Sequence, residues 1–415
     1  MGPTIDLEPT VLLTGPLWLV AAAVLIGTFF LTRKRPDYGL ALVLAALPLY
    51  QVRGDLGLPT TLLELILGAV LLGVATRWRS LRWQRTPYDV WILLWLLAGL
   101  VNTFVTPGDG LKNLALWRAF FLEPVLYFYA AVAVFRRYSP LPLLWGALAA
   151  LGVVAAWSSL LLFDNRAMTY DGRFRGCFQS PNFLAMFTAP LLLMIAAWPE
   201  RRLWLLRSVT FAAGLAMLIA SGSRGGQVAL LAGVVVLVLW RIGRRHRLAI
   251  AGLAVTAGLL SVYGASQLAD RTDKLVSPRP VIWEQTLDML KKRPLTGTGS
   301  QYYQTQFLLQ VQTDPNLALR YYVTPYAISA HNLWLTTWVH WGLFALLGLL
   351  GILVVFGVRA MGRLGDPWTA VGAAAMTAIV VHGLIDTPLY KNDLAVLFIL
   401  PLVLSLVLVV KSKQT

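Results

Sequence analysis

The sequence predicts an all-α polytopic membrane protein, and three observations predict it. Of the 415 residues, 58% are hydrophobic and 13% are charged, about half the roughly 25% charged residues of a soluble domain. Apolar runs near the length of a bilayer crossing recur along the whole chain. Between them, Lys and Arg collect in every second loop.

Taken in order, candidate spans fall near 12–31, 39–51, 58–76, 87–105, 114–135, 141–163, 183–198, 203–220, 227–240, 248–264, 333–358, 369–386 and 394–410. The second is short for a full crossing and reads as tilted or re-entrant, so the count is twelve or thirteen. At this density they leave room for a single integral membrane domain over 1–415 and no soluble domain of ordinary size. The opening "MGPTIDLEPT" carries Asp6 and Glu8 and no basic residue. That is the wrong flank for a secretory signal, so the first run reads as a retained span. Cys177 is the single cysteine, which excludes an internal disulfide.

The net charge of +16 reflects topology rather than nucleic-acid binding. Loops beginning at Arg33, Arg77, Arg136, Pro199, Arg241 and Arg359, with the tail from Lys411, hold 19 Lys and Arg between them. That set is expected in the cytoplasm. The alternate short loops hold one basic residue each, Arg53, Lys112, Arg224 and Lys391. The N-terminus is therefore expected outside and the C-terminus inside. Two outer loops break the pattern. Residues 164–182 carry Arg166, Arg173 and Arg175, and the long loop 265–332 carries seven basic residues, Arg279 among them. A bound anion would explain them; so would a long solvated loop, which escapes the charge rule.

Within the long loop, "SPRPVIWEQTLDMLKKRP" predicts a short amphipathic helix with Trp283, Leu287 and Leu290 on one face. Pro280 suits its first turn and Pro294 its end. Such a helix is expected on the outer membrane surface with Trp283 toward lipid. The glycines of "PLTGTGSQYY" allow a tight turn, but match no phosphate-loop or dinucleotide fingerprint.

The outer-face acids form no DxD pair and no His/Asp/Glu cluster of metal-binding spacing, so metal-independent chemistry is expected. A nucleophile elbow and a Cys/His arrangement are both lacking. What remains is arginine beside Gly, Pro and Ser: "RFRGCFQSPN" at 173–182, "SGSRGG" at 221–226 and "SPRPVIW" at 277–283. Guanidinium forks pair bidentately with phosphate oxygens and stay charged. Arg224 reads either as a phosphate ligand or as a snorkelling loop residue, and Arg118 as a structural partner of Glu123. Of four histidines, His331 stands where the long loop meets a span, and an unperturbed histidine can take a proton near neutral pH. A structural role is the alternative. His340, half a helical revolution and about 13 Å further on, reads as packed in the bundle. His382, beside Asp386 at i+4, reads as structural or peripheral, and His246 lies in a basic inner loop.

The ordered set "RFRG…SPN", "SGSRGG", "R-P-V-I-W…PLTGTGS" and "AHN…G" resembles the O-antigen ligases, within the wider superfamily of O-antigen polymerases and bacterial protein O-oligosaccharyltransferases. The resemblance covers roughly residues 165–390. The family pattern H-[N/S/Q]-x9-G-x-x-G matches at His331, Asn332 and Gly342 and departs at Ala345, where glycine is usual. It implies a helical membrane glycosyltransferase C-type (GT-C) fold in the bacterial inner membrane, with the site facing the periplasm and no cofactor. The implied donor is a glycan on undecaprenyl diphosphate, the acceptor a hydroxyl of lipid A–core oligosaccharide, and the transfer inverting. By motif position Arg173, Arg224 and Arg279 bind the donor diphosphate; Arg175 lacks a clear counterpart and joins them as a candidate. His331 is the general base or, alternatively, a phosphate ligand. Pro181, Asn182, Trp283, Gly297, Gly299, Asn332 and Gly342 support the motifs. A polymerase, a protein O-oligosaccharyltransferase and an anion transporter are the rival readings. The one-sided motifs and the lack of internal repeats disfavour transport.

Overall fold

The computed structural model describes residues 10–55, 59–81, 84–199, 203–241, 279–313, 327–363 and 365–407. A short strand, β1 (Val11–Leu12), precedes α1 (Pro16–Lys34) and α2 (Pro36–Ala45). The chain turns between them at Pro36, where proline has no N–H to lose and suits a first helical position. A 3-10 turn, Leu47–Gln51, leads to β2 (Val52–Asp55) and β3 (Pro59–Thr61). β2 pairs in parallel with β1 and antiparallel with β3, with Arg53 opposite Thr61. Then come α3 (Leu62–Ala75), α4 (Asp89–Val105), α5 (Gly110–Trp117), a π turn at Arg118–Leu122, and α6 (Glu123–Phe135). After them follow α7 (Pro142–Phe163), α8 (Pro181–Ala197), α9 (Trp204–Ala220) and α10 (Arg224–Arg241). Past the undescribed stretch lie α11 (Arg279–Lys292), α12 (Ser300–Thr313), α13 (Leu333–Trp341), α14 (Leu343–Gly362), α15 (Pro367–His382) and α16 (Asn392–Leu404).

The protein is an all-α polytopic membrane protein. Among the described residues five helical runs are long and apolar enough to cross a bilayer: α1, Gly110–Phe135, α7, α10 and α14. Shorter apolar helices occupy the other expected spans that the description covers. The span near 248–264, and residues 265–278 and 314–326 of the long loop, lie outside the described residues. Three expectations need correction. Residues 11–12, 52–55 and 59–61 pair as the small sheet. The single span expected over 333–358 is two helices, broken at Gly342. In α11 the buried face is Val281, Ile282, Thr286, Met289 and Leu290, whereas Leu287 is exposed. This face packs with Tyr303, Phe307 and Val339, and Trp283 packs against the same cluster. The apolar stripe is therefore rotated from the one read by i, i+4 and i+7 spacing.

Contacts between loops fall into two sets that do not mix among the described residues. At one end Arg77 donates to the carbonyls of Arg33 and Lys34, and Arg363 donates to that of Ser405. At the other, Gln301 bonds Asn113, and residues 173, 221, 182, 331 and 386 meet one another. These are the two sets that loop charge separates in the sequence.

Small residues set the approach of α10 to its neighbours α8 and α15. A Cβ on Gly233 would sit 2.2 Å from Leu193 Cδ1 and 2.9 Å from the Ala374 carbonyl oxygen, and one on Gly226 would sit 2.5 Å from Ala185 Cβ. Close backbone approach through small residues is how membrane helices gain packing contacts without a hydrophobic driving force. Here it brings the first turn of α10 against the first turn of α8.

Candidate active site

The residues after α15 turn back on its end, where the Asp386 N–H donates to the His382 carbonyl at 3.0 Å. Asp386 is 2% exposed. A carboxylate so buried must be paired and hydrogen-bonded. Its Oδ1 accepts the Thr387 N–H at 3.0 Å and faces His331 Nδ1 at 3.3 Å. Its Oδ2 accepts from Asn182 Nδ2 at 3.0 Å and lies 3.8 Å from Arg279 Nη2. Burial alone pushes this carboxyl up. The His331 hydrogen bond and the charges of His331, His382 and Arg279 outweigh it and hold the group below the usual carboxylate range.

His331 is held from both sides in an unusual conformation. Its φ is 45°, a left-handed geometry that costs a residue with a Cβ about 1 kcal/mol or more. Downstream, Asn332 caps α13: its Oδ1 accepts the N–H groups of Trp334 and Leu335, both at 3.0 Å. Asn332 Nδ2 donates to the Leu384 carbonyl at 2.9 Å, and the Leu333 N–H to that of Gly383 at 2.7 Å. Upstream, the Trp283 indole donates to the Ala330 carbonyl at 2.9 Å. That contact replaces the lipid-facing position expected for Trp283. The His331 side chain remains 39% exposed. With Nδ1 on Asp386, Nε2 is left for a ligand.

The glycines of the motif set stabilise this arrangement from below. Gly342 has φ 84°, and a Cβ there would lie 2.6 Å from the Leu295 carbonyl oxygen. Gly297, at φ 66°, would meet the carbonyl oxygens of Val339 and Trp338 at 2.4 and 2.5 Å. Gly299, at φ 88°, would meet Thr106 Oγ1 at 2.6 Å. In exchange, Thr298 N–H donates to the Val339 carbonyl at 2.7 Å and Leu343 N–H to that of Leu295 at 2.9 Å. The break after α13 orphans backbone groups, and this clasp satisfies them.

The "RFRG…SPN" and "SGSRGG" segments meet at Asn182. Ser180 caps α8 and Pro181 occupies its first position, which sets Asn182 in the first turn. Asn182 Oδ1 accepts from Ser223 Oγ at 3.0 Å and from Arg173 Nη2 at 3.3 Å. Arg173 Nε donates to the Ser221 carbonyl at 3.0 Å. Asn182 thus links Arg173 to Asp386. Arg224 opens α10 one residue after Ser223, and it is exposed. The N–H groups of two helix starts, α8 and α10, flank this point and favour an anion.

Not every candidate converges here. Arg175 donates from Nε to the Arg166 carbonyl at 3.1 Å and braces its own loop. His340 is buried with its ring 5.0 Å from that of Tyr303. His382 is buried beneath Asp386, beside Gly225. Arg118 pairs with Glu123 at 3.0 Å, as expected, and with Glu64 at 2.8 Å. Cys177, in the loop before α8, is fully buried, its N–H donating to Ser158 Oγ at 3.0 Å.

A buried carboxylate facing a histidine, with Arg279 3.8 Å away and Arg173 linked through Asn182, can hold a proton acceptor beside an anionic ligand. Residues 209–350 match the family model described as O-antigen ligase. The match covers about a third of the chain. The matched O-antigen ligase segment includes Arg224, Arg279, Trp283, His331, Asn332 and Gly342. Arg173, Asn182 and Asp386 come from outside it. No curated protein matches the chain. In the sequence Asp386 stands as one outer-face acid among many. The signal available was an Asp four residues after a histidine at the end of an apolar helix, where an ionisable group is expensive and marks function.

Proposed function

We propose that the chain transfers a glycan from undecaprenyl diphosphate to a hydroxyl of lipid A–core oligosaccharide, at the periplasmic face of the bacterial inner membrane. The single observation behind this reading is His331 Nδ1 on buried Asp386, whose other oxygen faces Arg279 and, through Asn182, is linked to Arg173. With Nδ1–H donated to Asp386, the Nε2 lone pair is a general base. It removes the proton of the acceptor hydroxyl as that oxygen bonds the anomeric carbon from the face opposite the diphosphate. The carbon–oxygen bond to the diphosphate breaks, and its electron pair leaves on the phosphate oxygen. Configuration inverts, and the proton ends on His331, whose imidazolium Asp386 stabilises. Arg224, Arg279 and Arg173 offset the charge that grows on the leaving diphosphate. The reading needs no divalent ion, because arginines can offset the charge on the departing diphosphate in its place. A GT-C arrangement fits a site at one end of a helical bundle.

The test is glycan transfer by the purified full-length chain in liposomes, with lipid-diphosphate-linked glycan and lipid A–core. Transfer is expected to persist in excess EDTA, and loss restored by magnesium or manganese would overturn the metal-free step. In cells, deletion is expected to leave lipid A–core bare while polymeric donor accumulates. Loss of the polymer itself would assign a polymerase instead.

A further inference from the structure

A cavity of about 330 Å³ opens between β2, β3, α3, the π turn and the start of α16. Its size is at the low end for small-ligand pockets, about 300–1,000 Å³. Glu64 organises it. The residue closes a capping box with Thr61 at the start of α3, and its Oε2 also accepts from Thr60 Oγ1 at 2.9 Å and Arg118 Nη2 at 2.8 Å. Asn392 Nδ2 donates to Oε1. On the far side, the Lys391 ammonium lies 4.1 Å from the Phe183 ring centre, 4.2 Å from that of Tyr50 and 3.9 Å from the Asp393 carboxylate.

Of the cations lining the cavity, Arg118 contacts Glu64 and Glu123, and Lys391 lies beside Asp393. Arg53 and Gln179 also line it. The cavity presents guanidinium edges, amides and hydroxyls, which suit a hydroxyl-rich ring. It also shares two loops with the candidate active site. Gln179 lines the cavity three residues before Asn182, and Lys391 follows Asp386 by five. Tyr390, between them, donates to Thr337 on α13 at 2.7 Å. None of Arg224, Arg279 and His331 borders the cavity.

We propose that this cavity binds a neutral sugar ring of the acceptor glycan, next to the hydroxyl that His331 deprotonates. The assignment rests on the ligase reading above. It gives the acceptor a recognition site separate from the arginines that hold the donor diphosphate.

Full-length protein in detergent, titrated with delipidated core oligosaccharide and separately with lipid-diphosphate-linked glycan, tests this. Gln179→Ala and Arg53→Ala are each expected to weaken core-oligosaccharide binding about threefold to tenfold, the range of a lost hydrogen bond. Acceptor KM should rise in parallel, while kcat and donor KM stay within about twofold. A purely structural role would lower Tm and kcat together and leave the acceptor's share unchanged. Unaltered oligosaccharide binding in both variants, or a rise in donor KM alone, would overturn the proposal. If the wild type binds core oligosaccharide and the variants do not, yet no transfer occurs, the cavity stands and the ligase reading falls.

Discussion

Asp386 and His331 carry the chemistry at the scale of single residues, and their roles can be separated. His331→Ala removes the base and is expected to lower transfer about 10²-fold or more without loss of membrane expression. His340→Ala, which touches Tyr303 and not Asp386, should lower turnover far less. Asp386→Asn keeps the shape but removes the charge that stabilises the imidazolium, so kcat should fall while donor KM changes little. The Asp386 carboxyl is held below its unfolded value. Its contribution to stability is therefore complete above the unfolded carboxylate range, near pH 4, and is lost as pH falls through the lower folded value. Acid unfolding of the wild type should steepen in that window, and Asp386→Asn should flatten it. A variant whose acid unfolding curve matches the wild type would remove Asp386 from this role. His331, Arg279 and Arg224 were legible in the sequence because charge beside Gly and Pro at a span boundary is conspicuous. Asp386 was not, because its meaning lies in partners 55 and more residues away, and periodicity carries no such information.

At the scale of elements, helix ends and breaks position the site. The sequence predicts one continuous span across the α13–α14 break, because an apolar run shows no seam at one glycine. The seam exists because Gly342 at φ 84° faces the Leu295 carbonyl, a contact made only in three dimensions. Gly342→Ala adds a Cβ 2.6 Å from that oxygen in a backbone region L residues avoid. It is expected to cost about 1–3 kcal/mol and to lower both yield and activity. Gly365→Ala, with open space around it, is the matched control; equal loss in both would leave the clasp without special importance. The rotated face of α11 has a similar cause. Its neighbours are α12 and α13 rather than lipid alone, so spacing gave the helix but not its orientation.

For the whole molecule, the alternation of basic loops and the two non-mixing contact sets carry the same information. Position 80, beside Arg77, and position 112, beside Asn113, lie at opposite ends of the bundle. Reporter fusions at Ser80 should read cytoplasmic and at Lys112 periplasmic. The same compartment for both would overturn the two-ended arrangement and the site's placement with it. The spans were legible because burial in lipid demands long apolar runs of backbone-satisfied helix. The small sheet was not, since two- to four-residue strands leave almost no pattern.

One buried residue makes that arrangement unusually accessible to chemistry. Desolvation pushes the Cys177 thiol up to about 11, and its side chain is sealed under the loop before α8. At neutral pH it offers maleimides almost no thiolate and no path of approach. The wild-type chain is therefore expected to behave as a cysteine-less background, and a maleimide mass shift on the wild type would overturn this. A single cysteine introduced at any loop can be alkylated from one side of intact cells or spheroplasts, with no prior substitution of the native residue.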